Sequence, residues 1–317
     1  MEWMGYINFG FFFLTLAGIY ALMALGLNVQ WGFTGMLNVG VAAFFAVGAY
    51  TSSVLTSAGT DLAHLGGYEL PLAVGFLAAA LVAGFIAFLI GLITLNLRSD
   101  YLAIASIGIA EIIRLVLKNE DWLTGGVNGF MGIPGRFNNV IEGGSLVLYM
   151  LMVSGMVLVV WLLCERAYKS PWGRVSRAIR ENETAAQAMG KNTLRFRLQA
   201  FVLGSMIMGL AGAVYAHFTG FISPEAFDPL MSTFLIWVML IAGGSGNNKG
   251  AVLGAFVIWA VWSGVEFVTS RLLPAEMATQ GAYLQVLLIG VLLQIILLTR
   301  PKGLLPERPP RQPASSS

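Results

Sequence analysis

Cysteine, histidine and charge are what this 317-residue chain has least of. Its one cysteine, Cys164, excludes an internal disulfide, and no Cys/His cluster offers a metal site. Its two histidines, His64 and His217, stand away from any serine or cysteine in a nucleophile-like context; a hydrolase is disfavoured, and both read as interfacial or surface residues. Charged residues make up 11% of the chain, against roughly 25% in a soluble domain. No lysine or arginine precedes Arg98, and a net charge of +2 gives no footprint for nucleic acid. A phosphate cradle is missing too. The run G-G-S-G-N-N-K-G at 243–250 is glycine-rich, but a P-loop needs glycine where Asn248 stands and Ser or Thr where Gly250 stands. The chain is not expected to hydrolyse ATP, and the run reads as a tight turn with Lys249 marking a membrane face.

What is there is oil. Hydrophobic residues make up 57% of the chain and the mean hydropathy is +0.77. A spanning helix needs about 20 apolar residues to cross a hydrocarbon core of roughly 30 Å. Such runs fall at 6–29, 35–56, 70–96, 100–118, 145–164, 198–218, 230–243, 250–270 and 281–299. They are continuous rather than alternating, and in lipid each segment must satisfy its own backbone, so they mean helices and not barrel strands. The expected fold is all-α, a polytopic integral membrane helical bundle of about nine transmembrane helices (8–10). The run at 35–56 is glycine-rich and interrupted and 230–243 is short, so either can be a broken or partial span. The first run lacks a positive n-region and a small-x-small site, and is not read as a cleaved signal peptide.

Eight of the eighteen Lys and Arg residues lie between Arg166 and Arg197. By the positive-inside rule this segment and the basic tail after residue 299 are cytoplasmic, which places Arg98 inside, the 119–144 loop outside and the N-terminus outside. Within the segment, Ser170-Pro171-Trp172-Gly173 is a turn signal and Gly190 a helix stop. Between them Ile179, Ala186 and Met189, with Ala178 and Ala185 alongside, form a narrow apolar stripe on a charged helix. That pattern suits a helix docking in the groove of another protein. Without Leu, Phe or Trp over 178–189, insertion into anionic lipid gains little.

Polar groups inside the spans are the other signal. Glu111 and Arg114, at i and i+3, share a helix face about 17 Å along the 100–118 run; they either tie helices together or line a solute path. Glu266 is weighed the same way, with more weight on structure. Gln30, Thr34 and Asn38 among Gly32, Gly35, Gly40 and Gly48 have the composition of the broken helices that hold solutes in transporters, or of a kinked packing helix. Ser205, Gly209 and Ala213, with Gly204, Gly212 and Ala216, flatten one face of 198–218 for close packing.

The segment E-N-E-T-A-A-Q-A-M-G-K-N resembles the E-A-A-x-x-x-G coupling motif of ABC importer permeases, here Glu183, Ala185, Ala186 and Gly190 with one residue of slack. The blocks W-G-F-T-G-M-L-N-V-G-V-A-A-F-F-A-V-G-A-Y, S-D-Y-L-A-I-A-S-I-G-I-A-E-I-I-R, T-G-G-V-N-G-F-M-G-I-P, S-P-W-G-R-V-S-R-A-I-R, G-L-A-G-A-V-Y-A-H-F, G-G-S-G-N-N-K-G-A-V-L-G-A and R-P-K-G-L are similar to LivM-type permeases of branched-chain amino acid importers, in the same order over nearly the whole chain. One departure is N-V-G-V-A-A-F in place of the S-L-G-H-A-A-F of many relatives, so Asn38 replaces a serine and Val41 a histidine. The resemblance implies a multi-pass subunit of the bacterial inner membrane, with a transmembrane domain over 1–299, a cytoplasmic coupling helix within 165–197 and a disordered cytoplasmic tail over 300–317. It implies as partners a second, LivH-like permease, two cytoplasmic ATP-binding subunits and a periplasmic solute-binding protein, with a small neutral amino acid as solute. No cofactor is expected in this chain, because ATP would be bound by the partner subunits. The implied ATPase-coupling residues are Arg180, Glu183, Ala185, Ala186, Met189 and Gly190; Gln30, Thr34, Asn38, Glu111 and Arg114 are candidates for the solute path. The alternatives are a stand-alone secondary transporter or channel for a small neutral solute, and a permease for urea or short amides. A membrane-embedded enzyme lacks a nucleophile, a metal set or an acid/base pair.

Overall fold

In lipid a helix is the one element that closes its own hydrogen bonds, and the chain uses it throughout. The computed structural model describes residues 2–57, 65–97, 99–135, 145–272 and 278–307; His64, Arg98 and 308–317 lie outside them. The helices are α1 (Glu2–Leu27), α2 (Val41–Thr56), α3 (Leu72–Thr94), α4 (Ser99–Asn119), α5 (Asp121–Thr124), α6 (Ser145–Lys169), α7 (Pro171–Glu181), α8 (Glu183–Ala188), α9 (Thr193–Thr219), α10 (Pro229–Gly243), α11 (Asn248–Leu272) and α12 (Ala278–Thr299). Among the described residues the extended pairing is one isolated antiparallel bridge, Phe130 with Ile222.

Among the described residues six helical segments are long and apolar enough to cross a membrane: Gly5–Gly32, Leu72–Thr94, Leu146–Lys169, Thr193–Thr219, Pro224–Gly243 and Asn248–Ser270. Val41–Thr56 and Tyr283–Thr299 are apolar but shorter. The run 100–118, expected as a span, is the amphipathic α4, which carries Asp100, Glu111, Arg114 and Lys118. The interrupted run at 35–56 is broken in the way its glycines suggest. Past Leu27 the first helix widens into a π-helical turn, Asn28–Gly32, and the chain runs without regular structure from Gly35, at φ +73°, to Gly40 before α2 begins.

The small residues of α9 put that helix at the centre. Gly204 lies against Gly26 of α1, Gly209 against Ala79 and Ala83 of α3, and Gly212 against the backbone of α2 at Phe45, so close that a Cβ would meet the neighbouring chain at each. Backbones approach this closely in membranes only where side chains are absent, and the dispersion contact then spreads along the whole seam. His217 does not sit at a surface as its place near the end of the span suggests. It is 1% exposed, with Nε2 2.8 Å from Ser52 Oγ and Nδ1 3.0 Å from the Pro134 carbonyl. A polar ring can be buried there because α2 and the loop before α6 supply its partners.

The tail also differs from expectation. Residues 300–307 are not free: Leu304 N–H donates to Ala242 O at 2.8 Å and Leu305 N–H to Gly243 O at 2.9 Å. The carbonyls at the end of α10 lack intrahelical donors, and the returning chain supplies them.

Candidate functional site at the basic end

The basic segment folds as two helices rather than one. Ser170 caps α7, with Pro171 in its first turn and Oγ accepting from Gly173 N–H. Asn182, at φ −157°, then ends α7 and caps α8, its Oδ1 accepting from Ala185 N–H at 3.0 Å. Gly190, at φ +75°, closes α8, and Asn192 caps α9. The break at Asn182 divides the apolar stripe expected on a single helix. Ile179 and Ala186 are buried against the body, whereas Ala185 is exposed and Met189 is 79% exposed.

The charged coupling candidates point inward as well. Glu183 lies 3.4 Å from Arg197 of α9. Arg180 donates to the carbonyl of Gly32 and pairs with Glu307 at 2.8 Å and Glu181 at 3.0 Å. Burial works against its charge, but the hydrogen bonds and fields of Glu181 and Glu307 outweigh that and hold its pKa above the ordinary arginine value. Beside it, Arg177 stacks 3.9 Å over the Tyr168 ring, and Tyr168 Oη donates to Glu307 at 2.7 Å. Arg174, Arg177, Arg180 and Lys302 line a cavity of about 850 Å³ together with Glu181 and Glu307.

Next to this platform the turn 243–250 acts as a hub. Gly246 N–H donates to Asn28 Oδ1 at 2.8 Å, Asn28 Nδ2 to Asn248 Oδ1 at 2.9 Å, and Asn248 Nδ2 to Glu165 at 3.2 Å. Lys249 N–H turns back to Asn247 Oδ1. These groups serve the fold and do not converge on a phosphate.

The neutral path candidates are likewise bound to the chain. Gln30 and Asn38 are fully buried and Thr34 nearly so. Gln30 Nε2 donates to Phe201 O at 2.9 Å and Ser205 Oγ at 3.1 Å; Asn38 Nδ2 donates to Gln30 Oε1 at 2.8 Å; Thr34 Oγ1 donates to Gln30 O at 2.6 Å. Trp237 Nε1 of α10 donates to Asn38 O at 3.0 Å. Together they brace the break between α1 and α2 against α9 and α10. Along the break Met36, Asn38 and Gly40 are buried while Leu37 and Val39 are partly exposed. Val41, the other departure from the resembling sequences, is in the core.

Glu111 and Arg114 form a separate group. Arg114 Nη2 lies 2.6 Å from Glu111, and both Arg114 and Lys118 reach Glu225, at 3.4 and 2.6 Å. Among the described residues no hydrogen bond joins this cluster to the Gln30–Asn38 brace.

A family model described as the permease component of branched-chain amino acid transport systems matches residues 10–297. The chain belongs to that family. The permease is 34% identical to the high-affinity branched-chain amino acid transport system permease protein LivM of Escherichia coli K12, over 94% of this chain and 70% of the relative. It is 28% identical to a probable LivM of Methanocaldococcus jannaschii, over 92% of each, and 26% identical to LivH of E. coli K12, again over 92% of each. No solved structure matches it.

Sequence reasoning missed Asn28, Glu165, Tyr168, Trp237 and Glu307 of this permease. Asn28 and Asn248 carry a signal that was available, since each is an amide at the margin of an apolar run. Glu307 carries none, because its partners lie more than a hundred residues away.

Proposed function

We propose that this chain is one membrane subunit of an ATP-driven ABC importer in the bacterial inner membrane, moving branched-chain or other neutral hydrophobic amino acids. It pairs there with a second, LivH-like permease. Two cytoplasmic ATP-binding subunits hydrolyse the ATP, and a periplasmic solute-binding protein delivers the solute. α1–α4, α6 and α9–α12 are the nine membrane helices of this reading, with α2 as a half-span and α4 the charged one. α7 and α8 are its cytoplasmic coupling element.

The observation that carries the reading is the two-faced platform. Arg180, Glu183 and Ala186 hold α7 and α8 to the body, Gly190 ends α8, and Ala185 and Met189 are left facing outward. An exposed methionine beside small residues at the end of a short helix suits docking to another protein. Gln30 and Asn38, with all their bonds made inside the chain, act as scaffold for the path, and the partly exposed Leu37 and Val39 offer apolar contact to a solute side chain.

Reconstitution with the neighbouring subunits tests this. Uptake of labelled leucine should need ATP, both ATP-binding subunits and the solute-binding protein, and flux through the chain alone would replace the reading with a stand-alone carrier. Met189→Asp should weaken ATPase binding by roughly ten- to a hundredfold, the scale of a buried interface anchor, without changing the subunit's thermal stability.

A further inference from the structure

We infer that Arg180 is a positioning residue that carries movement of the α7–α8 platform to the break between the first two helices, through the carbonyl of Gly32. The inference rests on the reading of α8 as a docking helix.

The need for Arg180 arises in the backbone. In a continuous helix the carbonyl of Gly32 would accept from the N–H of Met36. Here Met36 N–H donates to Gln30 O at 3.2 Å and Gly35 N–H to Trp31 O at 2.9 Å, the pattern of a helix that widens and stops. The Gly32 carbonyl loses that donor inside the protein, where an unmet acceptor is costly. The Arg180 guanidinium, from 148 residues away, supplies one.

Three further contacts make this a grip rather than a touch. The stem of Arg180 lies against Gly35, where a Cβ would come within 3.2 Å of Arg180 Cγ; glycine at φ +73° leaves room for it. Phe33, fully buried, packs between Tyr168 at 5.4 Å and Trp172 at 6.2 Å, at the junction of α6 and α7. Glu307 holds the guanidinium through its other terminal nitrogen, Nη2, at 2.8 Å. Residues 32–35 are thus held by α7 on one side, and on the other they continue into the Gln30–Asn38 brace that meets α9 and α10.

Beside the platform lies an open cleft of about 560 Å³, lined by Arg180, Glu183 and Gln187 and by the turn at Leu95–Leu97. A shift of α7 must then either drag Gly32 with it or break a charge-assisted hydrogen bond. Because Gly32 and Gln30 share one π-helical turn, dragging Gly32 re-aims the support of Leu37 and Val39.

The assembled importer in proteoliposomes provides the test, with ATP hydrolysed per leucine accumulated as the readout. Arg180→Gln, compared with wild type in assemblies matched for subunit content, should raise the ATP used per leucine by roughly tenfold, the scale of one charge-assisted hydrogen bond. Arg180→Lys should recover part of the loss, because an ammonium can still reach a carbonyl. A ratio for Arg180→Gln within about twofold of wild type overturns the inference.

A second measurement needs no variant. Amide hydrogen exchange over residues 36–43 of the wild-type assembly should change when a non-hydrolysable ATP analogue binds, and an unchanged pattern also overturns the inference. Wild-type assembly that shows no ATP-dependent uptake at all would instead remove the importer reading, and this inference with it.

Discussion

The two ends of the permease handle polarity in opposite ways. At the basic end, Gln30, Asn28 and Asn38 are neutral, fully buried and bonded to residues from α9, the 243–250 turn and one another. At the other end, Glu111, Arg114, Lys118 and Glu225 are charged and partly exposed, and their ion pairs join α4 to the short turn Pro224–Phe227. A buried amide that loses its partner cannot turn to water, whereas a solvated carboxylate can. Pulling the basic end apart would therefore strand buried polar groups, whereas the far end can exchange its ion pairs for solvent.

The sharpest way to break this contrast is Gln30→Met, which keeps the volume and deletes the hub of the brace. Asn38 Nδ2 and Ser205 Oγ lose their partner at fully buried positions. The expected cost is about 1–3 kcal/mol, the desolvation penalty of stranded polar groups, read as a lowered unfolding temperature in detergent together with loss of leucine uptake. A stable, transporting Gln30→Met protein would show that the break is held by apolar packing alone.

Asn28→Leu should come next. It strands Gly246 N–H and Asn248 Oδ1 at the turn but leaves the brace intact, so thermal stability should fall by about 1–2 kcal/mol while residual uptake persists.

Both positions also show what a linear reading can reach. The apolar runs at 70–96 and 250–270 locate α3 and α11 within a few residues, because helix length in lipid is set by hydrophobic run length. The glycines of α9 foretell its packing. The interruption at 35–56 is legible as glycine and amide composition, but the composition cannot say whether Gln30 and Asn38 face a solute or the chain. That depends on Phe201, Ser205 and Trp237, which only the fold brings near. The stripe Ile179, Ala186, Met189 fails as one face because a single cap, Asn182, outcompetes helix continuation through its bond to Ala185. The residues of the coupling-like motif can be picked out in the sequence, but their division into inward and outward members cannot.

The smallest effect is expected at the far end. In Arg114→Gln, Glu111 and Glu225 lose a partner, but Glu225 is 61% exposed and keeps Lys118 at 2.6 Å. Exposed pairs contribute about 0–1 kcal/mol and weaken with salt, so the unfolding temperature should drop only slightly, and the drop should shrink as ionic strength rises. The brace variants should show no such salt dependence, since no ion pair is lost in them. If the measured loss in Arg114→Gln equals that of Gln30→Met, and is equally deaf to salt, Arg114 is a buried structural charge and the two ends are built alike. If stability holds but leucine uptake falls while ATP hydrolysis continues, α4 lines the solute path at that end.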